Sequence, residues 1–142
     1  WQGETGAIDR DWRVRARVRA GLLVGDAPVQ RHFLLGGRAT VPGYAYRSFA
    51  GDRSAVLDLS AARMLIGPWL TGRVSAAVGW TGLENERLLD YWPAARTGTV
   101  GPSVGAGIGI VHEILWLDLH RGLDGGDWEL LLSADRRLWD IL

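Results

Sequence analysis

A chain of 142 residues suits a single domain. Its 16 basic residues, all of them Arg, balance 16 acidic ones to a formal net charge of zero, which argues against a nucleic-acid partner and its basic footprint. With no Cys there is no disulfide framework or thiolate metal site, and no apolar run reaches the roughly 18 residues that a membrane helix needs.

Period-two alternation, the mark of strands, recurs along the chain, and no segment sustains a helical period. A first strand is predicted over residues 12–24, with Trp12, Val14, Ala16, Val18, Ala20 and Leu22 on one face and Arg13, Arg15, Arg17 and Arg19 on the other. A long turn-rich segment, 25–53, leads to a second strand over 54–64, where Ala55, Leu57, Leu59 and Ala61 oppose Ser54, Asp58 and Ser60. After the short link 65–68, a third strand over 69–81 sets Leu70, Val74, Val78 and Trp80 against Thr71, Arg73, Ser75 and Ala77. A second long polar segment, 82–99, precedes a fourth strand over 100–111, where Val104, Ala106, Ile108 and Ile110 oppose Ser103, Gly105, Gly107 and Gly109. His112-Glu113 reads as a two-residue turn into a fifth strand over 114–119. There Leu115, Leu117 and Leu119 oppose Trp116 and Asp118, and His120 continues the polar side. The loop 121–127 leads to a sixth strand over 128–139, with Trp128, Leu130 and Leu132 against Glu129, Ser133 and Asp135.

The connections run long, short, long, short, medium. Transmembrane barrels sort their loops in this way, with long outer loops and short periplasmic turns. Six strands would leave both ends of the array on the short-turn side. The 20 Gly and 8 Trp suit a sheet that must curve and whose ends sit at a membrane surface. Trp12, Trp69 and Trp139 fall at the short-turn end and Trp80 and Trp128 at the other, as two interface girdles would; by parity Trp69 and Trp139 point inward.

The fold expected is an all-β, antiparallel, up-and-down transmembrane β-barrel with six strands in this chain. An Arg facing lipid near the midplane costs about 2–4 kcal/mol, so the Arg face belongs to a wet lumen and the Val/Ala/Leu face to lipid. Arg13, Arg15, Arg17, Arg19, Asp58, Asp118, Glu129 and Asp135 then form the charged lumen lining. A soluble barrel with an apolar core and the Arg face in water explains the alternation equally well, but not the sorting of the loops.

The segment LGGRATVPGY, residues 35–44, resembles the lumen loop in the carboxyl-terminal barrel half of the BamA superfamily. That loop has Leu-Gly-Gly, a spacer, then an apolar residue, Arg, Gly and an aromatic. FAGDRSAVLDLSAAR, RVSAAVGWTG, SVGAGIGI and ILWLDLHRGLDGGDWELLLSADRRLW resemble the strands that follow, in order, over nearly the whole chain. The resemblance implies a bacterial outer-membrane barrel that inserts or translocates proteins, with residues 1–142 as its carboxyl-terminal part. It places Leu35, Gly36, Gly37, Pro42, Gly43 and Tyr44 in a loop folded into the lumen. Two departures stand out: the loop Arg of the family is Pro42 here, and the barrel-wall Asp it contacts aligns with Ala77.

No catalytic residue is expected. Adjacent strand residues point to opposite faces, so His112 and Glu113 do not make an acid/base pair. Asp118, His120, Glu129 and Asp135 share a face, where a polar wall explains them as well as a carboxylate cluster does. Ser60, Ser103 and Ser133 lack a nucleophile elbow, and no helix follows Gly105, Gly107 and Gly109 to make a phosphate loop. No cofactor and no metal are expected. The expected partners are outer-membrane lipid and, because six strands fall short of the roughly eight of the smallest barrels, further strands, another copy or other chains. The chain opens on Trp1 without a Met and reads as part of a longer precursor. Two other functional readings stay open: a barrel anchoring a passenger domain or complex with pore activity lost, and a soluble ligand-binding barrel.

Overall fold

The computed structural model describes residues 1–8, 12–25, 28–83, 90–91, 93–110 and 112–134. Their strands are β1 (Gln2–Ile8), β2 (Trp12–Leu22), β3 (Phe33–Leu35), β4 (Phe49–Gly51), β5 (Arg53–Ile66), β6 (Leu70–Gly82), β7 (Val100–Ile110), β8 (Leu115–Gly122) and β9 (Trp128–Ala134). The described residues are thus all-β and mostly antiparallel: every pair of named strands is antiparallel, and one isolated bridge, Phe49↔Arg96, is parallel. Seven strands form one sheet in the order β1-β2-β5-β6-β7-β8-β9, and β3 and β4 pair separately. β1 and β9 are the two edges and are not bonded to each other.

Six of these strands lie where alternation places them. The expected count of six is corrected to nine among the described residues. β1 reads Gln-Gly-Glu-Thr-Gly-Ala-Ile and has too few apolar residues to alternate, yet it pairs with β2 from Gln2↔Arg19 to Ile8↔Arg13. It also moves the start of the array to the long-loop end, where the Trp1 ammonium donates to Ala20 O at 2.7 Å. β3 and β4, three residues each, are too short to show a period. Asp135 and Trp139 lie outside the described residues.

The register puts every second residue on a common face across all seven strands. Arg17, Asp58, Ala77 and Ser103 are successive cross-strand partners on one side. Val18, Leu57 and Val78 are partners on the other. The polar side is concave. β2 and β7 stand three strand spacings apart, about 14 Å on a flat sheet, yet Arg13 of β2 bonds Glu113 in the β7–β8 turn. Glu4 and Thr5 of β1 also line one cavity together with Ser133 and Ala134 of β9.

The convex side is apolar and uncovered: Val74 is 58% exposed, Leu130 66% and Leu132 69%. The hydrophobic cluster of buried residues, Leu35, Val41, Tyr44, Phe49 and Val56, lies on the opposite side. There the segment 33–51 folds back over the concave face. Its side chains enter positions where the sheet carries glycine. An added Cβ would stand 2.2 Å from Phe33 Cζ at Gly21, 2.4 Å from Val41 Cγ2 at Gly79 and 2.4 Å from Phe49 Cζ at Gly101. These three glycines are slots for apolar knobs from the segment.

Gly101→Ala should therefore destabilise the fold by about 1–3 kcal/mol through overpacking, and Phe49→Val in the same chain should recover part of that loss. Equilibrium unfolding of the two single variants and the double variant measures the coupling. Additive losses would mean that Phe49 does not occupy the Gly101 slot.

Candidate functional site

The concave face carries a lattice of ion pairs built by the alternation of β2. Arg19 meets Asp58 of β5 at 2.9 Å and donates a second bond to Ala39 O at 3.0 Å. Arg15 and Arg17 turn the other way and share Glu4 of β1 at 2.9 and 3.1 Å. Arg13 bonds Glu113, whose carboxylate also accepts from Thr71 Oγ1 at 3.0 Å. On the far side Arg73 grips Asp118 with two bonds, Nε to Oδ1 at 3.1 Å and Nη2 to Oδ2 at 2.5 Å, and lies 4.0 Å over the Trp116 ring. Asp118 is buried, so removing Arg73 alone would strand a carboxylate at a cost of about 3–5 kcal/mol.

This grip reaches from β6 to β8 across β7, and the glycines of β7 permit it. A Cβ at Gly107 would fall within 1.9 Å of Asp118 Oδ1, one at Gly105 within 2.4 Å of His120 Nδ1 and one at Gly109 within 2.8 Å of Trp116. At these three positions β7 carries no side chain, so those of β8 can cross it.

Above this lattice sits the segment 35–44. Gly36, Gly37 and Gly43 have φ of 117°, 78° and 85°, a backbone region that favours glycine. Gly43 is also held close to β8, where a Cβ would stand 2.3 Å from Gly122 N. Its N–H donates to Glu129 Oε2 at 2.7 Å, and its carbonyl accepts from Asp127 N at 2.7 Å. Tyr44 packs edge-on against Phe49 with ring centroids 5.1 Å apart. Its hydroxyl donates to Pro102 O at 3.0 Å and accepts from Asp124 N at 3.2 Å. Arg96, from the connection between β6 and β7, joins the same assembly. Its backbone bonds Ser48 and Ala50, and its guanidinium donates to Asp124 O at 3.0 Å and Gly125 O at 3.4 Å. Arg96 thus ties the two long connections and the β8–β9 connection together over the concave face, and the segment 33–51 plugs its long-loop half.

Two of the cavities left on the concave face bear on the site. One of ≈ 320 Å³ lies under the plug and is lined by both Pro42 and Ala77. The other, ≈ 580 Å³, opens toward the short-turn end between Glu4, Arg13, Glu113 and Trp116. The carboxylates that could have made a catalytic cluster are engaged, Asp118 by Arg73 and Glu129 by the Gly43 amide. Among the described residues no group of three His, Cys, Asp or Glu is placed to hold a metal.

Of the tryptophans assigned to the rims, Trp12, Trp80 and Trp128 lie on the convex face. Trp69, inward by strand parity, lies outside the strands. It sits in the β5–β6 turn, 61% exposed, edge-on to His112 at 5.1 Å. Glu4, Arg73, Glu113 and Trp116 are part of the lattice and were missed as lining residues. Arg73 was visible from its inward parity. Glu113 was not, because His112 and Glu113 take φ of 57° and 64°, which breaks the strand alternation at the turn.

No protein-family model matches the sequence, and a search of curated proteins returns no relative.

Removing the Glu129 carboxylate leaves the Gly43 N–H without its acceptor. Glu129→Ala should speed hydrogen exchange at Gly43 by roughly tenfold or more, while Glu129→Gln, which keeps an acceptor oxygen, should restore most of the protection. Unchanged exchange in Glu129→Ala would mean that this bond does not hold the plug. Because Pro42 and Ala77 line one cavity, Pro42→Arg and Ala77→Asp together should show a favourable coupling of about 0.5–3 kcal/mol in a double-mutant cycle. A coupling of zero would mean that these two positions do not meet.

Proposed function

We propose that the chain is part of a bacterial outer-membrane β-barrel of the protein-inserting or translocating type that the BamA superfamily exemplifies. The observation that carries this reading is the convex face, which is apolar, uncovered and continuous over six strands from β2 to β9. Soluble monomers rarely expose a contiguous apolar patch larger than a few hundred Å², and an uncovered face that spans six strands is unlike them. The charged residues on that face of the described strands are Arg53, Arg63 and Arg121, all near the strand ends. Arg63 lies over the Trp12 ring at 5.5 Å and Arg121 over the Trp128 ring at 5.6 Å, as cations and tryptophans pair at the two levels of a bilayer interface. Between Leu70 and Trp80 β6 climbs about 33 Å along the strand, or ~25 Å when tilted by ~40°, the height of an outer-membrane apolar band.

In this reading the concave lattice of arginines and carboxylates faces a wet lumen, and the long connections face outward. Lipid does not tolerate unpaired backbone, so the edges of β1 and β9 close on each other, on further strands or on another chain. A soluble ligand-binding barrel would need its apolar face inside, the reverse of the curl seen here. A second reading within the membrane class is a barrel that anchors a passenger or complex and has lost pore activity. It is favoured by the plug, which is seated in the glycine slots at Gly21, Gly79 and Gly101 rather than held by the Arg–Asp tie of the family.

The intact protein should sediment with outer membranes and stay there through alkaline carbonate extraction. Recovery of a folded, soluble monomer without detergent would overturn the membrane reading.

A further inference from the structure

The ≈ 320 Å³ cavity beneath the plug has a charge imbalance that its ion pairs leave open. Four arginines line it, Arg15, Arg17, Arg38 and Arg73, together with Asp58 and Asp118. Both carboxylates are already engaged, Asp118 by Arg73 at 2.5 Å and Asp58 by Arg19 at 2.9 Å. Arg15 and Arg17 share the single carboxylate of Glu4, on the edge strand. Arg38, at the tip of the plug, has no ion-pair partner among the described residues. Among the described lining residues and their ion-pair partners, five arginines (Arg15, Arg17, Arg19, Arg38 and Arg73) stand against three carboxylates (Glu4, Asp58 and Asp118), so two positive charges are in excess, one on the wall of β2 and one on the plug.

We infer that this cavity is an oxyanion site that takes a phosphate group between Arg38 of the plug and Arg15 and Arg17 of the wall. A phosphate carries about −1.5 to −2 at neutral pH, which matches the excess. Its oxygens suit the planar fork of guanidinium, which donates two parallel bonds to one anion. The cavity also contains Pro42 and Ala77, so the plug brings no charge of its own to the wall at that point. A bound phosphate bridges plug and wall there and adds a ligand-dependent tie to a plug that is already seated. The site stands on the cavity lining and does not require that the convex face meet lipid.

Inorganic phosphate titrated into the intact folded protein, with chloride adjusted to hold ionic strength constant, tests this by calorimetry and by thermal unfolding. Saturable binding with a rising unfolding midpoint is expected. Arg17→Gln and Arg38→Gln should each weaken binding about tenfold, one charge-assisted contact apiece, while Arg31→Gln, on an exposed turn outside the cavity, should bind as the parent does. Arg38 is exposed and makes no ion pair among the described residues, so the unliganded midpoint of Arg38→Gln should match the parent, which separates lost binding from lost folding. Absence of saturable binding, an equal response to chloride, or undiminished affinity in Arg38→Gln would overturn the site.

Discussion

The seating of the 33–51 segment on the concave face gives this sheet its core. A seven-stranded sheet with its apolar residues mainly on the convex side has few on its concave side, Val56, Ala77 and Leu131 among them, where β2 brings arginines and β7 brings glycines. Phe33, Val41 and Phe49 supply the missing apolar volume from outside the sheet, and Gly21, Gly79 and Gly101 leave the space for it. Leu35, Tyr44 and Val56 complete the cluster. Were these slots filled by side chains, the segment would be displaced, and with it the bonds from Gly43 and Tyr44 to β7, β9 and the β8–β9 connection.

Below the plug the concave face is held by charge instead. Desolvating an arginine is expensive unless its donors are met, and the register meets them in two ways. Neighbouring strands pair directly, as Arg19 does with Asp58, while Arg73 reaches Asp118 two strands away because Gly107 offers no side chain between them. Glycine thus does two jobs on one face: near the long loops it admits apolar knobs, and toward the short turns it lets the side chains of β8 lie across β7. Both bring together residues remote in sequence, which suits a sheet whose neighbours are joined by short turns at one end alone.

Strong alternation made the strands of the main sheet readable, and the assignment of faces in β2 and β5 to β9 follows from it residue by residue. β1 was not readable because Gly3, Thr5 and Gly6 carry no apolar signal; its place comes from pairing with β2 and from the Glu4 carboxylate, both tertiary facts. The turn at His112-Glu113 illustrates a different limit. Alternation placed Glu113 out of play, but two residues in the left-handed region return its carboxylate to Arg13 and Thr71. The glycines of the loop were visible as points of tight turning, whereas their matching slots in the sheet were not, since a glycine does not announce which side chain will fill its space. Arg96 carried no signal at all: its role depends on three connections meeting.

The central claim is that the convex face meets lipid and the concave face meets water. Spin labels placed singly along β6 at Val74, Ser75, Ala77 and Val78, in the intact protein reconstituted into bilayers, test it by their accessibility to oxygen and to a water-soluble paramagnetic metal complex. The account predicts high oxygen and low metal-complex accessibility at Val74 and Val78, with the opposite at Ser75 and, beneath the plug, low values for both at Ala77. Equal exposure of Val74 and Ser75 to the water-soluble complex, or a reversed alternation, would contradict it.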